Sequence, residues 1–191
     1  MKISELELRR QLFHLIFGTS LVILIYFDII GIKVLSLILF LGLIISMVSR
    51  YKDIPLISWF LNKFDRKDTR FPGEGAFFLI LGTALVIAIF PKTIALASLL
   101  ILAFGDSFAH LLGKAYGKKR FAHKTAFGTL SGIFFGFLGA LIFVDPVTAL
   151  LGSGFSMFFE AFNLKFLKSK VDDNLFIPVV SSIIMYIWVI L

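Results

Sequence analysis

Seven apolar runs divide this chain from near its start to its last residue, separated by charged residues or by Pro and Gly. They cover residues 11–30, 32–49, 74–90, 93–112, 126–144, 146–161 and 174–191. Segments of about 20 apolar residues can cross the hydrocarbon core of a bilayer, where only structures that pair their own backbone groups are stable. The pattern predicts an all-α, polytopic membrane protein with seven transmembrane helices.

The composition leaves no room for a separate soluble domain. Hydrophobic residues make up 59% of the chain and the mean hydropathy is +0.97, whereas a soluble domain is about half apolar. We therefore expect a single integral membrane domain over residues 1–191. Because the chain has no cysteine, disulfides, thiolate catalysis and cysteine-ligated metals are excluded.

The basic residues predict the orientation of the helices. Of the 19 Lys and Arg residues, 17 precede residue 11 or fall in the alternate connections 50–73, 113–125 and 162–173. Cytoplasmic loops carry the excess of Lys and Arg, so we expect the N-terminus inside and the C-terminus outside. The same loops account for the net charge of +7 without a nucleic acid partner. A re-entrant segment at 146–161, the shortest run, would reverse the side of everything after it.

The basic segment 50–73 contains an amphipathic stretch at about 54–68. Leu56, Phe60 and Phe64 fall on one helical face, with cations such as Lys63 nearby. This pattern is typical of a helix that lies in the plane of the membrane interface. Two roles are open for it: anchoring the protein, and guiding a lipid substrate into the domain.

Ionisable groups of the predicted helices converge on one membrane face. On this topology Asp28 and Asp145 belong to the outer side, whereas the cytoplasmic layer holds Glu74, Asp106, His110, Glu160, Asp172 and Asp173. Asp106 and His110 are four residues apart and share a helix face. Charges at membrane depth are costly and mark a pathway or a site. The basic loop 113–125 follows directly, which brings carboxylates and cations to the same depth.

Two chemistries fit such a convergence. An ion-coupled transporter places its acids near the membrane midplane, but here they lie at one face. Phosphoryl or nucleotidyl transfer needs carboxylates to hold Mg²⁺ and cations to neutralise phosphate oxygens. Lys118 and Arg120 follow Gly117, which with Gly113 allows backbone amides to approach a phosphate chain. The sequence favours phosphoryl or nucleotidyl transfer, although a Lys-rich loop around Lys119 also serves as a topology signal.

Two further patterns have alternative interpretations. Gly132, Gly136 and Gly139 form a small-residue stripe that indicates close helix packing, and the stripe is also compatible with a homodimer. His14, four residues after Arg10, is either a structural hydrogen-bonding group or part of the site.

The chain resembles the polyprenol kinase family, which includes dolichol kinases, phytol kinases and CTP-dependent diacylglycerol kinases and is related to the CTP:phosphatidate cytidylyltransferases. The resemblance lies in ELRRQLFHLIFG (7–18), GDSFAHLLGKAYGKKRFAHKTAFGTLSG (105–132) and EAFNLKFLKSKVDDNLFIP (160–178). It implies an enzyme that transfers the γ-phosphoryl group of CTP to a long-chain isoprenoid alcohol at the cytoplasmic face. CTP would be the donor, and Mg²⁺ or Mn²⁺ the cofactor.

The resemblance and the charge pattern together assign roles to individual residues. Those expected to take part in catalysis are Asp106, His14 and Asp173, and those expected to bind metal are Asp106, Glu160, Asp172 and Asp173. The nucleotide is expected to contact Gly105, His110, Gly113, Lys114, Gly117, Lys118, Arg120, Lys124, Thr125 and Gly128, with Arg10, Glu74 and Asn174 as further candidates. Many relatives carry an acid where this chain has Phe127, so Glu160 or Glu74 is expected to replace it.

Three alternatives stay open. A CTP-dependent diacylglycerol kinase would use another acceptor, and a CTP:lipid-phosphate cytidylyltransferase would form a CDP-lipid and release pyrophosphate. The early Arg10/His14 pair and the late Asp-Asp-Asn at 172–174 favour a kinase over a cytidylyltransferase. A small transporter is the alternative outside enzymology.

Overall fold

The structure is a computed structural model that describes residues 3–65, 69–162, 165–166 and 169–191. Within these residues it contains α1 (Glu5–Tyr26), α2 (Ile32–Ser49), α3 (Pro55–Phe64), α4 (Glu74–Ile89), α5 (Lys92–Leu100), α6 (Ser107–Tyr116), α7 (Ala126–Ala140), α8 (Pro146–Glu160) and α9 (Asp173–Ile190). A π-helical segment, Ile101–Asp106, joins α5 to α6 without a break. All seven apolar runs are thus helical.

Two short antiparallel hairpins correct the expectation of a purely helical fold. β1 (Arg120–Phe121) pairs with β2 (Lys124–Thr125), and β3 (Lys165–Phe166) pairs with β4 (Ser169–Lys170). Both hairpins occur in predicted basic loops, where the chain must reverse direction between two helices.

In the described part of the chain, four helices are long and apolar enough to cross a membrane: Glu5–Tyr26, Ile32–Ser49, the continuous helix Lys92–Tyr116, and Asp173–Ile190. They support an integral membrane protein. The other three apolar helices, α4, α7 and α8, have 16, 15 and 15 residues. A 15-residue helix is about 22 Å long, shorter than a hydrocarbon core of about 30 Å. Seven spans and their orientation therefore stay predictions.

The continuous helix Lys92–Tyr116 is the centre of the fold. In its most apolar window 78% of the residues are buried, against 11% in α2. The glycine stripe of α7 packs on it, because a Cβ on Gly132 would lie 2.9 Å from the Cβ of Ala109, and one on Gly139 would lie 3.2 Å from the Cβ of Leu100. The helix-packing interpretation of these glycines is therefore confirmed.

The predicted amphipathic segment forms α3, although residues 66–68 lie outside the described part of the chain. None of the described residues Pro55–Phe64 is fully buried. The rings of Phe60 and Phe64 pack on that of Phe13 in α1, with centroids 5.2 and 4.8 Å away. This contact places α3 over the N-terminal half of α1.

Candidate active site

Three carboxylates from distant parts of the sequence meet beside one histidine. Asp106 ends the π-helical segment, Glu160 ends α8 and Asp173 begins α9. These three residues, named here the acid cluster, are each at most 4% exposed. One ligand atom from each of them and from His110 lie within 4.8 Å of one another. Buried carboxylates require compensating charge or hydrogen bonds.

Lys124 supplies the compensating positive charge. Its Nζ lies 3.3 Å from Oδ1 of Asp106 and forms an ion pair with Oε1 of Glu160. Burial alone would lower the pKa of Lys124, but Asp106, Glu160 and Asp173 outweigh that effect and raise the pKa above its ordinary value. Lys124 is therefore protonated at neutral pH.

The β1–β2 hairpin holds Lys124 in this position. Ala122 takes a left-handed backbone conformation with φ 53° at the turn. The backbone N–H of His123 donates to the carbonyl of Ala161 at 3.0 Å. The ring of Phe121 packs against that of Phe158, 5.6 Å between centroids. These contacts fix the hairpin to the end of α8 that carries the glutamate of the cluster.

The π-helical segment positions Asp106. A π-helical turn contains more residues than an α-helical one, and such turns are frequent at functional sites. Gly105 allows the segment to pack closely, since a Cβ there would lie 3.0 Å from Sδ of Met157 and 3.2 Å from the carbonyl oxygen of Gly132. One turn later, Nε2 of His110 lies 3.3 Å from Oδ1 of Asp106. The predicted shared face of Asp106 and His110 is confirmed.

A second set of charged and polar side chains surrounds Glu7 in α1. Its carboxylate contacts Nη1 of Arg10 at 3.2 Å, Nε2 of Gln11 at 3.1 Å and Nζ of Lys114 at 2.9 Å. Nδ1 of His110 lies 3.8 Å away. Neither Glu7 nor Gln11 was among the predicted site residues. The sequence nevertheless contains a signal for this contact. Glu7 precedes Arg10 by three residues and Gln11 by four, so the three side chains share one helix face.

The glycines predicted to contact the nucleotide bring α6 and α7 together. A Cβ on Gly113 would lie 3.1 Å from the Cα of Gly128. Thr125 caps α7, because its Oγ1 accepts the N–H of Gly128 at 3.1 Å. A Cβ on Gly117 would collide with the Thr125 side chain. These glycines and Thr125 therefore serve the close packing of α6 on α7. The N-terminus of α7 follows directly after Lys124 and its neighbour Thr125.

The other predicted site residues are placed differently. Lys118 and Arg120 are exposed and lie outside the acid cluster. Among the described residues, the cluster includes neither Asp172 nor Glu74. Oδ1 of Asp172 accepts the N–H of Asn174 at 3.0 Å and caps α9, whereas Glu74 pairs with Nε of Arg70 at 2.6 Å. Of the two acids expected to replace the one missing at Phe127, Glu160 therefore lies in the cluster.

The acid cluster has the donor set for a divalent cation. Mg²⁺ takes oxygen ligands at about 2.0–2.1 Å, so ligands on opposite sides are about 4 Å apart, and it keeps several waters. The spacing within the cluster, at most 4.8 Å, fits this geometry. A histidine nitrogen suits Mg²⁺ less well than a carboxylate oxygen. The residues that could hold the ion are Asp106, Glu160 and Asp173.

Asp106 also borders a cavity of about 220 Å³ on the side of α1, α3 and α4. We call it the first cavity. Its polar lining comes from Arg10, Gln11, His14, Asp65, Asp106 and Asn174, and its apolar lining includes Phe13, Phe17, Phe60, Leu61, Phe64 and Leu79. The cavity thus borders the acid cluster through Asp106, and its apolar lining can accept hydrocarbon.

Comparisons with known proteins reveal distant relatives. No family model and no solved structure match the chain. An uncharacterized protein of Methanocaldococcus jannaschii is 27% identical over 188 residues, which cover 94% of this chain and 92% of the relative. CTP-dependent diacylglycerol kinase 1 of Schizosaccharomyces pombe is 27% identical over 134 residues, 60% of each chain. This distant, partial similarity supports a relationship to a lipid kinase family.

Proposed function

We propose that this protein is a CTP-dependent lipid kinase that phosphorylates the hydroxyl of a long-chain isoprenoid alcohol at the cytoplasmic membrane face. The observation that carries the proposal is the position of Asp106, which belongs to the acid cluster and also lines the first cavity. A phosphate-binding centre and a hydrocarbon-accepting cavity that share one carboxylate are what phosphoryl transfer to a lipid requires. The similarity to a kinase named as CTP-dependent supports the choice of nucleotide.

In the proposed reaction the lipid oxygen attacks the γ-phosphorus of CTP. The bond between that phosphorus and the oxygen bridging to the β-phosphorus breaks, and CDP leaves. The hydroxyl proton passes to a base within the first cavity, where we assign that role to the imidazole of His14. His14 and Asp106 line the same cavity, so a hydroxyl bound there would have the base and the acid cluster within one site, as the positioning requirement of phosphoryl transfer demands.

We assign metal binding to the carboxylates of the chain and phosphate binding to its cations. Asp106, Glu160 and Asp173 would hold Mg²⁺ or Mn²⁺, which would neutralise charge on the phosphate oxygens. Lys124, protonated and adjacent to the helix start at Thr125, binds the phosphates directly. We assign further nucleotide contacts to Lys118 and Arg120, which are both exposed.

A second acceptor is favoured by one observation. The Schizosaccharomyces pombe relative is named a diacylglycerol kinase, so a diacylglycerol with a free hydroxyl is the alternative substrate. The chemistry at phosphorus would be the same. A cytidylyltransferase would differ, because a lipid phosphate would attack the α-phosphorus of CTP and release pyrophosphate.

Labelled CTP distinguishes these reactions. Purified protein in detergent receives Mg²⁺, CTP labelled at either the α- or the γ-phosphorus, and one acceptor: dolichol, phytol, geranylgeraniol, diacylglycerol or the lipid phosphate phosphatidate. We expect γ-label in an isoprenoid monophosphate, together with CDP. Label in diacylglycerol alone would replace the isoprenoid acceptor. Transfer of α-label to a lipid phosphate, with pyrophosphate released, would show a cytidylyltransferase, and no transfer to any lipid would overturn the proposal.

A further inference from the structure

A second cavity of about 180 Å³ lies between α2, α3 and α4, and no residue of the acid cluster lines it. Its walls are almost entirely apolar. On α2 it is lined by Ile38, Gly42, Ile45, Ser46 and Ser49, which recur at helical spacing and form one face. From residue 38 to residue 49 this face runs about 16 Å along the helix axis at 1.5 Å per residue. The cavity is therefore a long slot that runs along the transmembrane helix α2.

The two cavities share three lining residues, Leu61, Gly73 and Ala76. Two of the three are among the smallest side chains. Gly73 has φ 77°, a conformation that other residues rarely adopt, and its N–H donates to Oδ2 of Asp65 at 2.9 Å. The boundary between the cavities is therefore a narrow wall with little side-chain bulk on the α4 side.

Hydrogen bonds close the slot at the end near the basic segment 50–73. Oγ of Ser46 donates to the carbonyl of Pro72 at 2.8 Å, and Nη2 of Arg50 donates to the carbonyl of Arg70 at 3.0 Å. These bonds join the end of α2 to the residues before α4. The remainder of the slot extends toward Ile38 and Ile80, in the middle of two apolar helices. An occupant that enters from the first cavity would therefore lie along the membrane-spanning direction.

We propose that the second cavity binds the hydrocarbon chain of the acceptor lipid while the hydroxyl end occupies the first cavity beside Asp106. This proposal rests on the proposed lipid kinase activity. Either cavity alone is smaller than the roughly 300 Å³ at which ligand pockets begin, whereas the two together exceed it. Apolar walls favour a chain of methylene or isoprene units because every buried methylene contributes. Residues of α2 thus determine which chain lengths are accepted, although they lie outside the acid cluster.

Gly42 allows a direct test. No described atom lies within 4 Å of the position that its Cβ would take, so Gly42→Leu and Gly42→Phe fill the slot from an open position. Gly154 in α8 provides the matched control, because its Cβ position is equally open and it lines neither cavity. The probe is a geranylgeraniol analogue with a diazirine at the end remote from the hydroxyl, incorporated with the protein into phospholipid nanodiscs.

In the unmodified protein, light should crosslink the probe to the slot face of α2 and to α4, and excess geranylgeraniol should suppress the crosslinks. Gly42→Phe should reduce this suppressible labelling and raise the KM for geranylgeraniol roughly tenfold relative to geraniol, with a smaller effect for Gly42→Leu. Gly154→Phe should change neither quantity. Long- and short-chain diacylglycerols, compared in the same way, distinguish an acyl chain from an isoprenoid chain.

The proposal is overturned if labelling of α2 is not suppressed by geranylgeraniol or by long-chain diacylglycerol. It is also overturned if the Gly42 variants affect long and short acceptors equally, or affect neither. Suppressible slot labelling in a protein that transfers no phosphate from CTP would instead overturn the kinase activity and leave the chain-binding site standing.

Discussion

The acid cluster and the first cavity meet at Asp106, but the cluster and the two cavities are built from largely different parts of the fold. The cluster lies on the central helix and on the adjoining ends of α8 and α9, and 78% of the central helix's apolar window is buried. The first cavity has walls from α1, α3 and α4, and the second cavity has walls from α2, α3 and α4. Within Ile32–Ser49 only Leu35 and Ser46 are buried, and none of the described residues Pro55–Phe64 is.

From this difference we expect the acid cluster to carry out the chemistry and the cavity walls to select the lipid. Densely packed interiors hold side chains in defined positions, so the carboxylates and Lys124 have a fixed geometry. Peripheral elements with few buried contacts open at lower free energy, which suits walls that must admit a lipid. Substitutions in the cluster should therefore change turnover and CTP binding, whereas substitutions in the cavity walls should change the acceptor KM.

The largest expected effect is at the shared carboxylate. Asp106→Asn keeps the size of the side chain and removes its charge, so kcat should fall roughly 10²–10³-fold or more, as when a preorganised charge-stabilising group is lost. Turnover of CTP with geranylgeraniol is the measurement. The control is Asp28→Asn, because Asp28 pairs with Lys92 at 2.6 Å at the opposite end of α1 and is largely exposed. Near-normal turnover of Asp106→Asn would show that the metal site is wrong.

Lys124→Ala should weaken CTP binding by roughly ten- to a hundredfold, because a charge-assisted hydrogen bond to phosphate contributes about 1.5–3 kcal/mol. Calorimetric titration with CTP measures this change. Lys118→Ala should have a smaller effect, since Lys118 is exposed and outside the cluster. If Lys124→Ala leaves the CTP affinity unchanged, Lys124 does not bind the phosphates and serves only to balance the negative charge of the acid cluster.

Phe64→Ala tests the other region. The ring of Phe64 lines the first cavity and packs 4.8 Å from that of Phe13, so its removal should raise the acceptor KM roughly tenfold and leave the KM for CTP unchanged. Trp59→Ala is the control, because Trp59 belongs to the same helix, is 56% exposed and does not line the cavity. An equal rise in both KM values would contradict the separation of the two regions.

The smallest effect on the protein is expected from cysteine substitutions in the loops, which test on which side of the membrane each loop lies. Cysteines introduced by Lys119→Cys and Ser169→Cys should react with a membrane-impermeant maleimide from the same side, and one introduced by Lys33→Cys from the other, as the distribution of basic residues predicts. Labelling of Lys119→Cys and Ser169→Cys from opposite sides would remove α8 as a span. It would also place Glu160 and Asp173 at a different face from the one proposed.

Local patterns in the sequence predicted much of the fold. The predicted run 32–49 coincides with α2, and 146–161 corresponds to α8 within one residue. The pairing of Asp106 with His110 also follows from helical periodicity. The helix Glu5–Tyr26 begins before its predicted start at residue 11, because Ser4 caps it and the side chains of Arg10 and Gln11 both donate to Glu7 along one face.

Long-range pairings could not be predicted in the same way. Lys124 and Glu160 are separated by α7 and most of α8, and no periodicity within either segment identifies its partner. The same holds for Glu7 and Lys114, which pair at 2.9 Å between α1 and α6. Nor did the hydrophobic pattern reveal the π-helical segment, since an extra residue in one turn leaves the apolar content of the run unchanged.

The sequence by itself determined that this chain forms apolar helices with acids and cations at matching ends, because hydropathy and charge act on each segment independently. Only the tertiary structure decided which of those acids meet. Asp173 lies in the cluster while its neighbour Asp172 caps a helix, and Glu160 lies there while Glu74 pairs with Arg70. The physical reason is that buried charges need partners at hydrogen-bonding distance, and those distances depend on how separate helices pack.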